Sequence, residues 1–136
     1  MCERSGRNGK GTGTSSPVLF DSDILIDFLN GVQFAADLIG QDGDRAVSII
    51  TWIEVSAGAR TPEAERLSQN LLSVFEVLGL SDAVADAAAT IRRERRLKLP
   101  DAIILATARS HRLRLVTRNT KDFRPDDGDI IVPYRL

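Results

Sequence analysis

"VLFDSDILIDFLNG", residues 18–31, changes its periodicity halfway along. The run "PVLF" (17–20) is short, apolar and bounded by a proline, the pattern of a buried strand. Directly afterwards Ile24, Leu25, Phe28 and Leu29 recur at helical spacing, and Asn30-Gly31 provides a helix stop. A strand that passes straight into a helix is the opening unit of an alternating α/β chain. Three aspartates, Asp21, Asp23 and Asp27, crowd the region where the periodicity changes. The question is which of them does chemistry.

The alternation continues outward. "RAVSII" (45–50), "VFEVLGL" (74–80), "LRLVT" (113–117) and "DIIVPY" (129–134) predict four more strands. Between them lie helical runs: "VQFAADLIG", "TWIEVSAGAR", and "EAERLSQNLLS" behind the start signal Thr61-Pro62-Glu63. Ser81-Asp82 caps the alanine-rich "AVADAAATIRRERR", and Pro100 opens "DAIILATARSH". Strands alternating with helices predict an α/β three-layer sandwich with a central, mostly parallel five-stranded sheet over residues 18–136.

Composition limits the chemistry. The chain has 136 residues, 43% hydrophobic and 27% charged, which suits one globular domain. Cys2 is the only cysteine and His111 the only histidine, so neither an internal disulfide nor a Cys/His zinc site can form. No run approaches the roughly 20 apolar residues needed to span a bilayer, and no signal-type apolar segment opens the chain, so a cytoplasmic protein without membrane contact is expected. Residues 1–17 hold four of the ten glycines and a net charge of +2 within an overall charge of −1. Rich in Gly, Ser and Thr without periodicity, they read as a flexible N-terminal arm.

In open parallel sheets, sites form beyond the carboxyl ends of the strands. Asp21 follows the first strand, Thr51 and Glu54 the second, Asn119 and Asp122 the fourth, and Asp101 opens a helix. Four carboxylates gathered at one edge repel each other unless some are protonated or a cation binds. Oxygen-only ligands suit Mg²⁺ or Mn²⁺, which lower the pKa of a water and neutralise a phosphodiester during displacement.

Each residue also has a local reading. Thr51-x-x-Glu54 is a capping box, Asp101 an acid in a helix first turn, and Asp122 an ordinary turn residue. Asp23 reads as the cap of a helix beginning at Ile24, Asp27 as a solvated helix-face acid, Trp52 as a core residue, and His111 as a C-cap. Ser48 and Thr51 either position a phosphate or serve the backbone. In "RRERRLK" (92–98), Arg92, Arg95 and Arg96 would share a helix side, either tracking an RNA backbone or forming a solvated face, with Arg112, Arg114 and Arg118 as possible additions.

The segments "LFDSDILIDFL", "SIITWIEVSAG", "LKLPDAIILATA" and "LVTRNTKDF", in this order, resemble the signature segments of PIN-domain ribonucleases, in particular VapC toxins of toxin–antitoxin modules. The resemblance implies a PIN-like sandwich, Mg²⁺- or Mn²⁺-dependent endonucleolytic cleavage of RNA by metal-activated water, a VapB-type antitoxin partner and a homodimer. It carries the metal-site and catalytic roles to Asp21, Glu54, Asp101 and Asp122, with Thr51 and Asn119 in support. Asn119 stands where many relatives carry aspartate, which leaves Asp122 or a water for the fourth corner.

Two other functions compete. "FDSD" is similar to the first motif of haloacid-dehalogenase-like phosphatases, which use an aspartate nucleophile, and "DDGD" (126–129) imitates their late acidic motif. Against that, Ile24-Leu25 puts two large apolar residues where that motif has a small residue followed by threonine or valine. A PIN-like fold with an eroded site would serve only as a binding module; the presence of all four acids argues against erosion.

Overall fold

The structure is a computed structural model and describes residues 17–41 and 43–136. Apart from Pro17, the expected N-terminal arm lies outside the described residues. Eleven elements follow in the order β1 (Val18–Phe20), α1 (Ser22–Leu29), α2 (Gln33–Ile39), β2 (Arg45–Ser48), α3 (Ile49–Gly58), α4 (Pro62–Leu72), β3 (Glu76–Leu78), α5 (Asp82–Glu94), α6 (Leu99–Ser110), β4 (Arg114–Val116) and β5 (Ile130–Ile131).

The strands form one five-stranded sheet in the order β3-β2-β1-β4-β5, and every neighbouring pair is parallel. Side chains alternate across a strand, and here the alternation sorts the core into two halves. Leu19, Ala46 and Leu115 point to the face covered by α5 and α6, packing with Ile104, Leu105 and Phe123. Phe20, Val47 and Val116 point to the other face, where Ile24 and Leu25 of α1, Val55 of α3 and Leu71 of α4 cover them. The sandwich predicted from sequence is therefore three-layered, with a sheet that is wholly rather than mostly parallel. Among the described residues, no helix is long and apolar enough to cross a membrane.

The chain leaves β1 toward β2 on one side and β4 toward β5 on the other, so the winding reverses between β1 and β4. Connections on either side of such a switch point diverge and leave a crevice at the carboxyl ends. Asp21 and Thr117 are the residues that follow β1 and β4.

Several helix boundaries were legible as local chemistry. Thr61 Oγ1 accepts from Ala64 N at 3.0 Å with Pro62 in the first helical position, Ser81 Oγ accepts from Val84 N at 3.2 Å, and His111 is the C-cap of α6. At the end of α1, Gly31 adopts φ +84°, and the Gly31 and Val32 amides donate to the Phe28 and Asp27 carbonyls at 3.1 and 2.9 Å. This is a Schellman closure, which needs the left-handed conformation that glycine adopts without a Cβ clash.

Other boundaries move. Strand β2 ends at Ser48 rather than Ile50, because Ser48 Oγ accepts from Ile50 N at 3.0 Å and starts α3 there. Thr51 is therefore inside the helix, and the Thr51–Glu54 capping box does not form. Asp21, not Asp23, caps α1, its Oδ1 accepting from Ser22 N at 2.7 Å. Helix α5 stops at Glu94, with Arg95 extended at φ −137°, so Arg92, Arg95 and Arg96 do not share one helix side. Strands β3 and β5 are shorter than the runs that predicted them.

Candidate active site

Asp21 is held at the switch point by both of its carboxylate oxygens. Oδ1 accepts from the Ser22 amide, Oδ2 accepts from Thr117 Oγ1 at 2.7 Å, and the Asp21 amide donates to Val116 O at 2.9 Å. Only 5% of the residue is exposed. Burial, reinforced by the neighbouring Asp23 charge, pushes its carboxyl up to about 7 despite the two hydrogen bonds that favour ionisation.

Ser22 ties this point to α3. Its hydroxyl lies 2.9 Å from Thr51 Oγ1 and donates to Glu54 Oε1 at 2.5 Å. Thr51 is fully buried, whereas Glu54 is exposed at the rim. Thr51 thus supports Glu54 through Ser22 rather than through a helix cap.

Asp23 sits one helical step further in. Its Oδ2 accepts from the Arg118 amide at 3.0 Å, while Oδ1 is buried and has no hydrogen-bond partner among the described residues. Burial raises its pKa. Asp101, in the first turn of α6, is also raised, first by burial and then by the charges of Asp122 and Glu54. Asp122 belongs to a tight turn: Asn119 Nδ2 donates to Asp122 Oδ2 at 3.0 Å, and Asn119 Oδ1 accepts from the Asp122 amide at 3.1 Å. The turn reading of Asp122 is therefore correct, and the same turn carries its carboxylate toward Asp101.

The four predicted acids reach one end of the sheet, and a fifth, Asp23, joins them. Among the described residues, no three of these groups are drawn together into a ready-made metal cage. The five acids nonetheless fit a hard cation: their donors are oxygen only, Asp23 beside the other four has a buried carboxylate oxygen without a partner among the described residues, and their mutual repulsion is the kind a bound cation relieves.

Sequence reasoning missed Ser22 and Thr117. Thr117 stands directly after β4 as Asp21 stands after β1, and that equivalence is the signal that would have found it. Three expectations need correcting. Asp27 is not a solvated acid: it is 5% exposed, paired with Arg118 Nε at 2.6 Å and Nη2 at 2.8 Å, and it accepts from Tyr134 OH at 2.8 Å. Those donors hold its carboxyl below the usual range. Arg118 is consequently not a free cation for RNA. Trp52 is 43% exposed rather than packed in the core.

Arg95 is also engaged, donating to Asp127 Oδ2 at 2.8 Å, and Arg109 Nε meets Asp129 Oδ2 at 2.7 Å. Asp127 and Asp129 of "DDGD" thus fasten the segment before β5 instead of forming a phosphatase motif.

A parallel sheet with acids at its switch point, flanked on both faces by helices, defines a class of α/β nuclease-like domains, and residues 18–125 match the family model for the PIN domain. The chain is 34% identical over 114 residues to ribonuclease VapC10 of Mycobacterium tuberculosis, covering 78% of this chain and 85% of that protein. The chain belongs to the PIN-domain family and, within it, to the VapC ribonucleases. A toxin–antitoxin complex from Klebsiella pneumoniae contains a chain that superposes with a TM-score of 0.81 at 43% identity, over 88% of this chain and 99% of that one. FitAcB from Neisseria gonorrhoeae superposes with a TM-score of 0.74 at 25% identity, over 88% and 99%.

Proposed function

We propose that this protein is a divalent-metal-dependent endoribonuclease toxin, acting in the cytoplasm on RNA and neutralised by a cognate VapB-type antitoxin. The observation that supports the reading is that Asp101 feels the charges of Asp122, Glu54 and Asp23 and itself acts on Asp21, so carboxylates from four separate segments are close enough to interact. The antitoxin follows from the toxin–antitoxin complex among the structural relatives; a homodimer is part of the same reading.

Asp21, Asp101, Glu54 and Asp122 would hold Mg²⁺ or Mn²⁺. The cation supplies Lewis acidity, making water a better nucleophile and neutralising charge that builds on the phosphodiester. The residues do the rest. Thr117 and the Ser22 amide fix both oxygens of Asp21, so it does not rotate away from the crevice. Ser22 holds Glu54 at the rim, and Asn119 sets the turn that presents Asp122. An aspartyl nucleophile of the phosphatase type is a poor fit, because Asp127 and Asp129 of the late acidic run are paired with Arg95 and Arg109.

Acids alone would repel RNA, so cations elsewhere must hold the backbone. Arg92 and Arg96 are exposed and suit that role; Arg95, paired with Asp127, does not.

The test is incubation of the purified protein with an RNA pool, with Mg²⁺ or Mn²⁺ and then with chelator. Cleavage that requires metal, and is lost in Asp21→Asn and Asp101→Asn, is the expected result. Metal-independent cleavage, or wild-type behaviour of both variants, would refute the reading.

A further inference from the structure

We propose that Arg118 is a positioning residue for the acidic site, acting through a two-point grip on α1. Its backbone amide donates to Asp23 Oδ2 at 3.0 Å, and its guanidinium forms a fork on Asp27, with Nε to Oδ2 at 2.6 Å and Nη2 to Oδ1 at 2.8 Å. Asp23 and Asp27 are four residues apart and lie on one side of the helix, so one residue binds α1 at two successive turns.

The placement gives the grip its consequence. Strand β4 ends at Val116, and the following residues are held by irregular contacts: Thr117 N donates to Ile131 O, and Asn119 N to Thr117 Oγ1. This is the stretch whose Thr117 hydroxyl and Arg118 amide hold Asp21 and Asp23. A planar bidentate fork fixes direction as well as distance, which a single ammonium contact does not. Tyr134 completes the anchor by donating to Asp27 Oδ2 at 2.8 Å, and its ring stacks on Phe34 of α2 at 5.4 Å.

Asp27 is buried and the Arg118 side chain partly so, and for a pair withdrawn from water in this way apolar side chains of similar volume often do as well or better. What the pair provides here is orientation of the turn that carries the donors to the acids. The effect on RNA cleavage rests on the ribonuclease reading; the effect on the site's geometry does not.

Two variants of the full chain separate positioning from mere stability. In the double variant Asp27→Leu with Arg118→Met both charges are removed together, so no lone charge is left and the melting temperature should fall only modestly, through loss of the acceptor for the Tyr134 hydroxyl. Its amide at residue 118 should nonetheless exchange faster, and its Mn²⁺ affinity by calorimetry should weaken about 10- to 100-fold, the range seen when groups that orient metal ligands are lost. Arg118→Lys keeps the charge but not the fork and should fall between the two, which keeps the test decisive if the double variant does not fold. Wild-type amide exchange and Mn²⁺ affinity in Arg118→Lys or in a folded double variant would overturn the proposal. A wild-type protein that binds Mn²⁺ without cutting RNA would sink the ribonuclease reading alone, and the comparison of exchange and affinity would still decide the role of Arg118.

Discussion

Thr117 Oγ1 donates to Asp21 Oδ2 across 2.7 Å, joining the ends of two adjacent parallel strands from positions 96 residues apart. The bond is buried at both ends, because Thr117 is fully buried and Asp21 nearly so. Thr117→Val keeps the shape and removes the donor. It should cost about 1–3 kcal/mol of stability for the oxygen left unsatisfied and lower RNA cleavage about 10- to 100-fold. Thr117→Ser should recover most of both. Urea unfolding and single-turnover cleavage check the pair; an unchanged rate in Thr117→Val would show that Asp21 holds its orientation unaided.

The acid cluster predicts an unusual pH profile. Asp21 has its pKa raised from 3.8 to about 7, so the folded protein binds a proton that the unfolded chain has released. Its contribution to stability is fully present below pH 3.8 and is lost as pH rises through 7. Asp27 runs the opposite way: its carboxyl is lowered, so its contribution is present above the usual carboxylate range and is lost as pH falls through the lowered value. In chelator, stability should therefore decline between about pH 5 and pH 7.5. Asp21→Asn should flatten that decline, and Mg²⁺ should oppose it. Urea midpoints at three pH values decide the matter, and a rise across that window would contradict the assignment.

Gly31 closes α1 with φ +84°. An added Cβ would meet no atom within 4 Å, so the cost of Gly31→Ala is conformational rather than steric crowding by neighbours. It should amount to about 1–2 kcal/mol, read as a lower melting temperature with the cleavage rate per folded molecule unchanged.

Phe123 follows Asp122 in the last signature segment, yet it is completely buried against the α5–α6 face of the sheet. Phe123→Ala should cost about 3–5 kcal/mol. Since the Phe123 amide donates to Asn119 O at 3.1 Å, loosening this anchor should also disturb the Asn119–Asp122 turn. Thermal melts together with Mn²⁺ affinity would show both losses, and a stable protein with weakened affinity would separate turn from core.

The strand–helix alternation and the caps at Thr61 and Ser81 were readable because they depend on neighbours in the chain. Asp21 was readable as a candidate because it directly follows a parallel strand, whereas Asp101, in the first turn of α6, follows no strand and was suggested by the resemblance. Asp27 was not: its partner Arg118 lies 91 residues away, and nothing local distinguishes a paired buried acid from a solvated one. Thr51 and Glu54 satisfied a capping pattern, but Ser48, three residues earlier, offers the same chemistry where the β2–β3 pairing ends at Ser48 and Leu78. Arg95 looked like part of a helix face until α5 ended one residue before it.

The order β3-β2-β1-β4-β5 has a consequence for how the protein is made. Strand β4 inserts beside β1 only after β2, β3 and six intervening helices have been synthesised, so Thr117 and Asp122 leave the ribosome long after Asp21. A nascent chain that has folded as far as α6 holds Asp21 without its hydroxyl partner and lacks one of its acids. The surroundings of Asp21 are therefore completed only when the last strands are in place.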